Sequence, residues 1–338
     1  MPFSLALLAA CTPPTTTTSG GHTPDTDVAV TDTPTGDTSA KGTGDTGGDT
    51  TTTTIAAVCL EPPPAGPLPF VRSSALRTEE DFDFDRDGFL DSQGGVGGQD
   101  LVGMTRQGQS HVVAPNIGVD AAGIRSLPSG DLVVAQPDTN ALRLVTYGSG
   151  GSRLILDVTN PNGLETTSDD LVFSSEYRQG GRVRLVDPYT GQASIIATMD
   201  WPNNMALSPD ETVLYVAASP SAWGGTGVIA RIEKDAEGGW GDPEPFFSHD
   251  TAIGGITTDI CGNVYAVEFT GGVVFRLPAD GSAPEVLADL GRSGTYSSMR
   301  FGHGLDGWER TELFVTNRSD MFVMDVGIPG RHVLAVDE

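Results

Sequence analysis

Two adjacent amides, Asn203 and Asn204, stand in PNNMALSPDETVLYVAAS, immediately before a stretch that reads as a β-hairpin. Pro209 presets φ and Asp210 can bond its own backbone in the SPDE turn, and VLYVAAS is β-branched and aromatic enough for a strand. An amide pair at the mouth of an apolar hairpin is either a bend or a ligand-binding position. A second group, Asp83, Asp85, Asp87 and Gly88 in DFDFDRDG, has the D-x-D-x-D-G opening of a calcium loop. The twelfth position, where an EF-hand needs Glu, is Gly94, so DRDG is expected to be a hairpin turn, with a weak surface calcium site as the other reading. His22, His111, His249, His303 and His332 form no H-E-x-x-H and no close pair, and the sequence has no G-x-S-x-G elbow. Trp201, just before the amides, is expected to pack between neighbouring elements, with the floor of a substrate pocket as the alternative.

The elements that must position these residues repeat. EDFDFDRDGFLDS from Glu80, AGIRSLPSGDLVVAQ from Ala122, NGLETTSDDLVFSSE from Asn162, NNMALSPDETVLYVAAS from Asn203, GGITTDICGNVYAVE from Gly254 and SMRFGHGLDGWERTELFVTN from Ser298 share one form. A short strand meets a turn bearing Asp, Gly, Pro or Ser, and a second apolar strand follows. A third strand comes next, such as ALRLVTY, GRVRLVDP, GVIARIE or GVVFRLP, and usually a fourth, such as SRLILDV, QASIIATM or PEVLADL. Four antiparallel strands at roughly 40–50 residues per unit are the signature of a propeller blade. Six such units predict an all-β, six-bladed β-propeller. The first strand of each blade lines the central channel, so Glu80, Ala122, Asn162, Asn203, Gly254 and Ser298 or Ser297 should converge at one mouth. The amides then share a ring with a carboxylate.

Composition narrows the partners. With 45 acidic residues against 19 basic ones, the net charge of −26 repels phosphate backbones, so nucleic acid is not an expected partner, while cations are the natural small ones. Residues 12–54 are almost entirely Thr, Gly, Asp, Ser and Pro and cannot bury enough apolar surface to offset their ordering entropy. The expected organisation is a signal-like segment over 1–11, a low-complexity linker over 12–58 and the propeller over 59–338. MPFSLALLAAC resembles the lipobox of bacterial lipoproteins, which implies an exported protein held at the cell surface or in the periplasm by lipid on Cys11. No Lys or Arg precedes the apolar run as an export signal would have it. No segment reaches the ~18 apolar residues of a membrane span, so the lipid would be the sole membrane contact. In an oxidising compartment Cys59 and Cys261 are expected to form a disulfide. The propeller is expected to be a monomer.

Over residues 70–338 the sequence resembles the SMP-30/gluconolactonase/LRE-like family of six-bladed propellers, through PNNMALSPDETVLYVAAS, PNGLETTSDDLVFSSEY, GGVVFRLPADG and SSMRFGHG…TELFVTN. Members of that family hold one divalent cation, usually calcium or zinc, at the channel mouth. The resemblance implies Glu80 as the first-blade ligand, Asn203 as the fourth-blade ligand, and Asn162 as the third-blade contact to substrate or metal-bound water. The family's fifth-blade Asp, both ligand and general base, falls on Gly254. A replacement acid is therefore sought in Asp250, on the loop entering the fifth blade, or in Glu176 and Glu268, which end second strands. The implied activity is metal-dependent hydrolysis of a small cyclic ester, in which the metal polarises the carbonyl and a carboxylate takes the proton of the attacking water. The alternative is a non-catalytic, surface-anchored propeller that binds a ligand or protein after losing that Asp.

Overall fold

Runs of β-branched and aromatic residues, three to seven long and broken by Gly- and Asp-bearing turns, form the strands of the protein. The computed structural model describes residues 57–331, except 95–97, 119–120 and 220–224. Cys11 and the 12–54 stretch lie outside the described residues. β1 (Val71–Ser73) precedes the first blade. Blade 1 is β2 (Phe82–Phe84), β3 (Leu90–Gln93), β4 (Leu101–Met104) and β5 (Ser110–Ala114), and blade 2 is β6 (Gly123–Ser126), β7 (Leu132–Gln136), β8 (Ala141–Val145) and β9 (Ser152–Asp157). Blade 3 is β10 (Pro161–Thr166), β11 (Val172–Glu176), β12 (Gly181–Val186) and β13 (Ala193–Met199), and blade 4 is β14 (Met205–Leu207), β15 (Val213–Ala218), β16 (Gly227–Glu233) and β17 (Glu244–His249). Blade 5 is β18 (Ile253–Thr258), β19 (Val264–Glu268), β20 (Val273–Leu277) and β21 (Glu285–Asp289). Blade 6 takes β22 (Ser298–Phe301), β23 (Glu312–Thr316) and β24 (Met321–Asp325) from the end of the chain and β1 from its beginning.

The six-bladed propeller of the sequence reading is therefore present, and its closure is new. β1 pairs antiparallel with β24 through Val71–Val323, Arg72–Phe322 and Ser73–Met321, completing blade 6. The inner strands β6, β10, β14, β18 and β22 are buried at nearly every position, whereas the outer strands β9 and β13 face solvent. Apolar clusters seal the blade contacts, as where Tyr265 of blade 5 meets Phe301 of blade 6 edge to face, 5.2 Å between ring centroids. Neighbouring inner strands approach so closely that a Cβ on Gly163 would overlap the Asn203 carbonyl, and one on Gly254 the Tyr296 carbonyl. DRDG is a hairpin turn: Asp85 Oδ1 accepts the N–H groups of Asp87 and Phe89 at 2.9 Å, and Gly88 has φ of 89°. Asp83 turns away from it to accept the Ser126 N–H of blade 2 at 2.8 Å, so the three aspartates share no centre.

Cys59 and Cys261 form the expected disulfide, with Cα atoms 5.4 Å apart across 202 residues of chain. Cys261 lies in the turn between β18 and β19, at the opposite end of β18 from Ile253. Beyond the bridge the chain is stitched to the outer edge of blade 5, where Gly66 N–H donates to Glu285 Oε1 at 2.5 Å and Leu68 N–H to the Leu287 carbonyl at 2.6 Å. A closed loop this long restricts the unfolded chain strongly. Replacing both cysteines with Ser is expected to cost about 2–4 kcal/mol in denaturant unfolding; equal midpoints for the two proteins would show that the bridge contributes nothing to stability.

Candidate active site at the channel mouth

The inner strands begin around a cavity of about 400 Å³ lined by Glu80, Asn162, Asn203 and Ile253, together with Glu79 and Arg318. The two amides reach it by different local devices. In β10 the register shifts between Pro161 and Leu164, a bulge that re-aims Asn162. Asn203 precedes β14 with its backbone pinned: its N–H donates to the Ala217 carbonyl at 2.7 Å, and its carbonyl accepts the Ser175 hydroxyl at 2.9 Å. The side-chain Oδ1 atoms of Asn162 and Asn203 are buried without a hydrogen-bond partner. Two orphaned acceptors at one cavity are costly unless a ligand supplies donors.

Asn204 does a separate job. Its Nδ2 donates to the carbonyls of Gly254 at 3.1 Å and Ser297 at 2.7 Å, tying blade 4 to blades 5 and 6 beneath the mouth. Of the adjacent pair, then, the first amide faces the cavity and the second braces the channel.

Glu80 forms an ion pair with Arg318. Arg318 sits in the loop after β23, where Asn317 Oδ1 accepts the N–H groups of Ser319 at 3.1 Å and Asp320 at 2.8 Å in an Asx turn. That turn holds Arg318 at φ of 68°, a left-handed conformation rare for such a side chain. Asn160 and Trp201 also line the cavity at positive φ, 46° and 47°, so local backbone strain gathers here. Burial lowers the Arg318 pKa, and the charge of Glu79 opposes the shift. The aromatic wall is Tyr177, packed edge to face on Trp201 at 5.3 Å, with Phe269. Trp201 thus packs against a neighbour, as expected, and also lines the pocket, as in the alternative reading.

The three acids sought as replacements do not line this cavity. Glu176 ends β11 buried, its carboxylate held at 2.7 Å by both Arg178 and Arg184. Burial pushes its pKa up, but the two guanidinium groups outweigh burial and leave it below the ordinary value. Glu268 ends β19 beside His249, with Nδ1 3.4 Å from Oε1, and Asp250 is exposed between β17 and β18. Glu79 and Glu80 are instead the carboxylates of the cavity. Arg318 and Glu79 escaped the sequence reading; N-R-S-D after LFVT is readable as an Asx turn, but nothing in it says where Arg318 points.

These donors do not fit a divalent cation as they stand. A hard cation takes six or more oxygens with enough negative charge to offset its own. Here Glu80 is already paired with a guanidinium, the amides are neutral, and the Tyr296 carbonyl closes off any side chain at position 254. Among the described residues no three His, Cys, Asp or Glu side chains come together as a cation site.

Residues 158–318 match the SMP-30/Gluconolactonase/LRE-like region. Among solved structures, the chain is similar to a gluconolactonase of Xanthomonas campestris at 18% identity and TM-score 0.61, over 80% of this chain and 95% of that one. It is similar to regucalcin, a calcium-binding protein of Agrobacterium tumefaciens, at 17% identity and TM-score 0.63, over 78% and 96% of the two chains. A luciferin-regenerating enzyme matches at 16% identity and TM-score 0.59, over 79% and 100%. Identities this low establish the shared propeller. None of the curated proteins matches.

Proposed function

We propose, from the premise that residues 158–318 are an SMP-30/gluconolactonase/LRE-like region, that the protein is an exported hydrolase of the lactonase type which opens a small polyhydroxylated cyclic ester. One observation carries this reading: the Glu80–Arg318 pair shares a cavity with two orphaned amide oxygens and an aromatic wall. Hydroxyl groups of the ligand would donate to Asn162 and Asn203, and its ring would lie along Tyr177, Trp201 or Phe269. Water attacks the ester carbonyl, Glu80 takes its proton, and the N–H groups of Arg318 stabilise the oxyanion. Collapse breaks the ring C–O bond, and the proton returns to the departing alkoxide to give a hydroxy acid. Calcium or zinc, which the family resemblance implies, has no step here, because Arg318 supplies the positive charge from within the chain. In this proposal the propeller is a monomer, anchored by lipid on Cys11.

The test is hydrolysis of a panel of sugar lactones by the wild-type protein, with and without a chelator. Turnover above the uncatalysed rate, changed less than about twofold by EDTA, is expected; complete loss with EDTA and recovery with Ca²⁺ or Zn²⁺ would overturn the role of Arg318. The closed position at Gly254 favours a second reading, a non-catalytic binding propeller. Calorimetric binding of a lactone without ring opening would establish that reading in place of the first.

A further inference from the structure

The seam between blades 1 and 2 is built differently from the others. In each blade the second strand sets one side chain opposite the inner-strand residue that lies two places before the turn. In blades 2 to 6 that side chain is Val133, Phe173, Tyr215, Tyr265 or Phe314, apolar or aromatic throughout. In blade 1 it is Asp91, opposite Asp83. Asp91 is 0% exposed, and neither of its carboxylate oxygens has a hydrogen-bond partner. The row across the sheet runs on from Asp91 to Gly103 and from Gly103 to His111. Gly103 leaves a hollow on this face, and Asp91 leans into it: a Cβ there would lie 2.9 Å from Asp91 Oδ1 and 2.7 Å from His111 Cε1.

The chain around Asp91 carries further acids. From Asp83 it reads D-x-D-x-D-G-x-x-D, which puts Asp91 on the ninth position, one that supplies a ligand in a calcium loop. The charges that act on Asp91 are those of Asp85 and Asp83, and together with burial they hold its pKa well above the ordinary value. The cations nearby do not offset these acids. Arg125 is taken by Asp81 at 2.6 Å, Arg86 is exposed over the Tyr147 ring of blade 2, 5.6 Å from its centroid, and His111 is exposed. The excess charge at this corner is therefore negative. A proton on Asp91 would remove its charge but leave an O–H without an acceptor and a carbonyl without a donor. A cation meets both oxygens at once, and carboxylate oxygens with water are the donors calcium selects. We propose that the seam between blades 1 and 2 binds one calcium ion, held by Asp91 and by Asp85 Oδ2, with Asp87 and water completing the shell. Asp85 Oδ1 stays on the N–H groups of Asp87 and Phe89. Asp83, Asp85 and Asp87 share no centre as they stand; the centre is Asp91, and Asp87, exposed in the turn, reaches it by rotating its side chain.

The experiment uses the full chain, stripped with EDTA and dialysed. Calorimetric titration with calcium chloride is expected to show one ion bound with a Kd below about 1 mM, and excess calcium to raise the melting temperature by about 5 °C. Asp91→Leu gives blade 1 the apolar seam of the other blades, so it should fold and lose both effects, whereas Glu80→Gln, at the opposite end of the channel, should keep both. Crystals grown with terbium should show an anomalous peak between Asp85 and Asp91, a readout that needs no variant. No calcium uptake by the wild-type protein, equal uptake by Asp91→Leu, or crystals without that peak would overturn the proposal.

Discussion

Glu80→Gln is expected to lower lactone hydrolysis about 10²–10⁴-fold, the range for loss of a positioned general base, with little change in melting temperature. Gln keeps the shape of Glu and can still meet Arg318, but it cannot take a proton from water. The fold should tolerate the change because the pair is partly exposed, and such ion pairs contribute about 1 kcal/mol or less. Arg318→Met is the companion variant. Its backbone already pays no extra strain, since Met at φ of 68° is no worse off than Arg, so a fall of about 10²–10³-fold would report the lost oxyanion donors. The double variant should be close to the worse single one, because the two groups act on the same step. If Glu80→Gln hydrolyses lactones as fast as wild type, the base lies elsewhere and the mouth cavity is not the reaction site.

Gly254→Asp, the substitution that would restore the family's fifth-blade carboxylate, should destabilise the protein by about 3–5 kcal/mol and create no calcium site. At this position β18 has a register shift between Ile253 and Ile256, and a Cβ would run into the Tyr296 carbonyl, which is backbone and cannot swing aside. Moving it would also strain the paired Asn204 hydrogen bonds to Gly254 and Ser297. Urea unfolding and calcium calorimetry on the variant decide the matter. A variant that is as stable as wild type and binds one calcium ion more would mean that blades 5 and 6 have room for the side chain after all.

The blades were legible because each repeats the same local physics, a turn that sets a hairpin and β-branched runs that pair around it. The inner strands begin within two residues of Glu80, Ala122, Asn162, Asn203, Gly254 and Ser298 for that reason. The Cys59–Cys261 bridge could be expected once Cys11 is set aside as the lipobox cysteine, since two cysteines then remain. What stayed hidden depends on approach between distant parts of the chain. β1 is three residues of no distinctive pattern, and only the shortage of a fourth strand after β24 hints at it. Glycine at 254 reads as a missing donor, whereas the structure shows a place filled by another blade's backbone. Arg318 is one cation in a loop, and its pairing with Glu80 joins the sixth blade to the first. Glu176 and Glu268 both end second strands, but strand position does not reveal that arginines hold the first and His249 accompanies the second.

The order of attachments near the start of the propeller also decides how it bears load. Force arriving along the chain from the N-terminal side reaches Cys59 before it reaches β1. Without the bridge, tension would fall on the two bonds of Gly66 and Leu68 to blade 5 and then on the three residue pairs between β1 and β24, whose opening would undo the closure of blade 6. The covalent link diverts that pull into the first hairpin of blade 5, and the bonds of Gly66 and Leu68 to β21 take up what passes beyond it. The closing strand thus lies slack behind its own mooring, and the ring can be fastened by a short strand without being mechanically weak there.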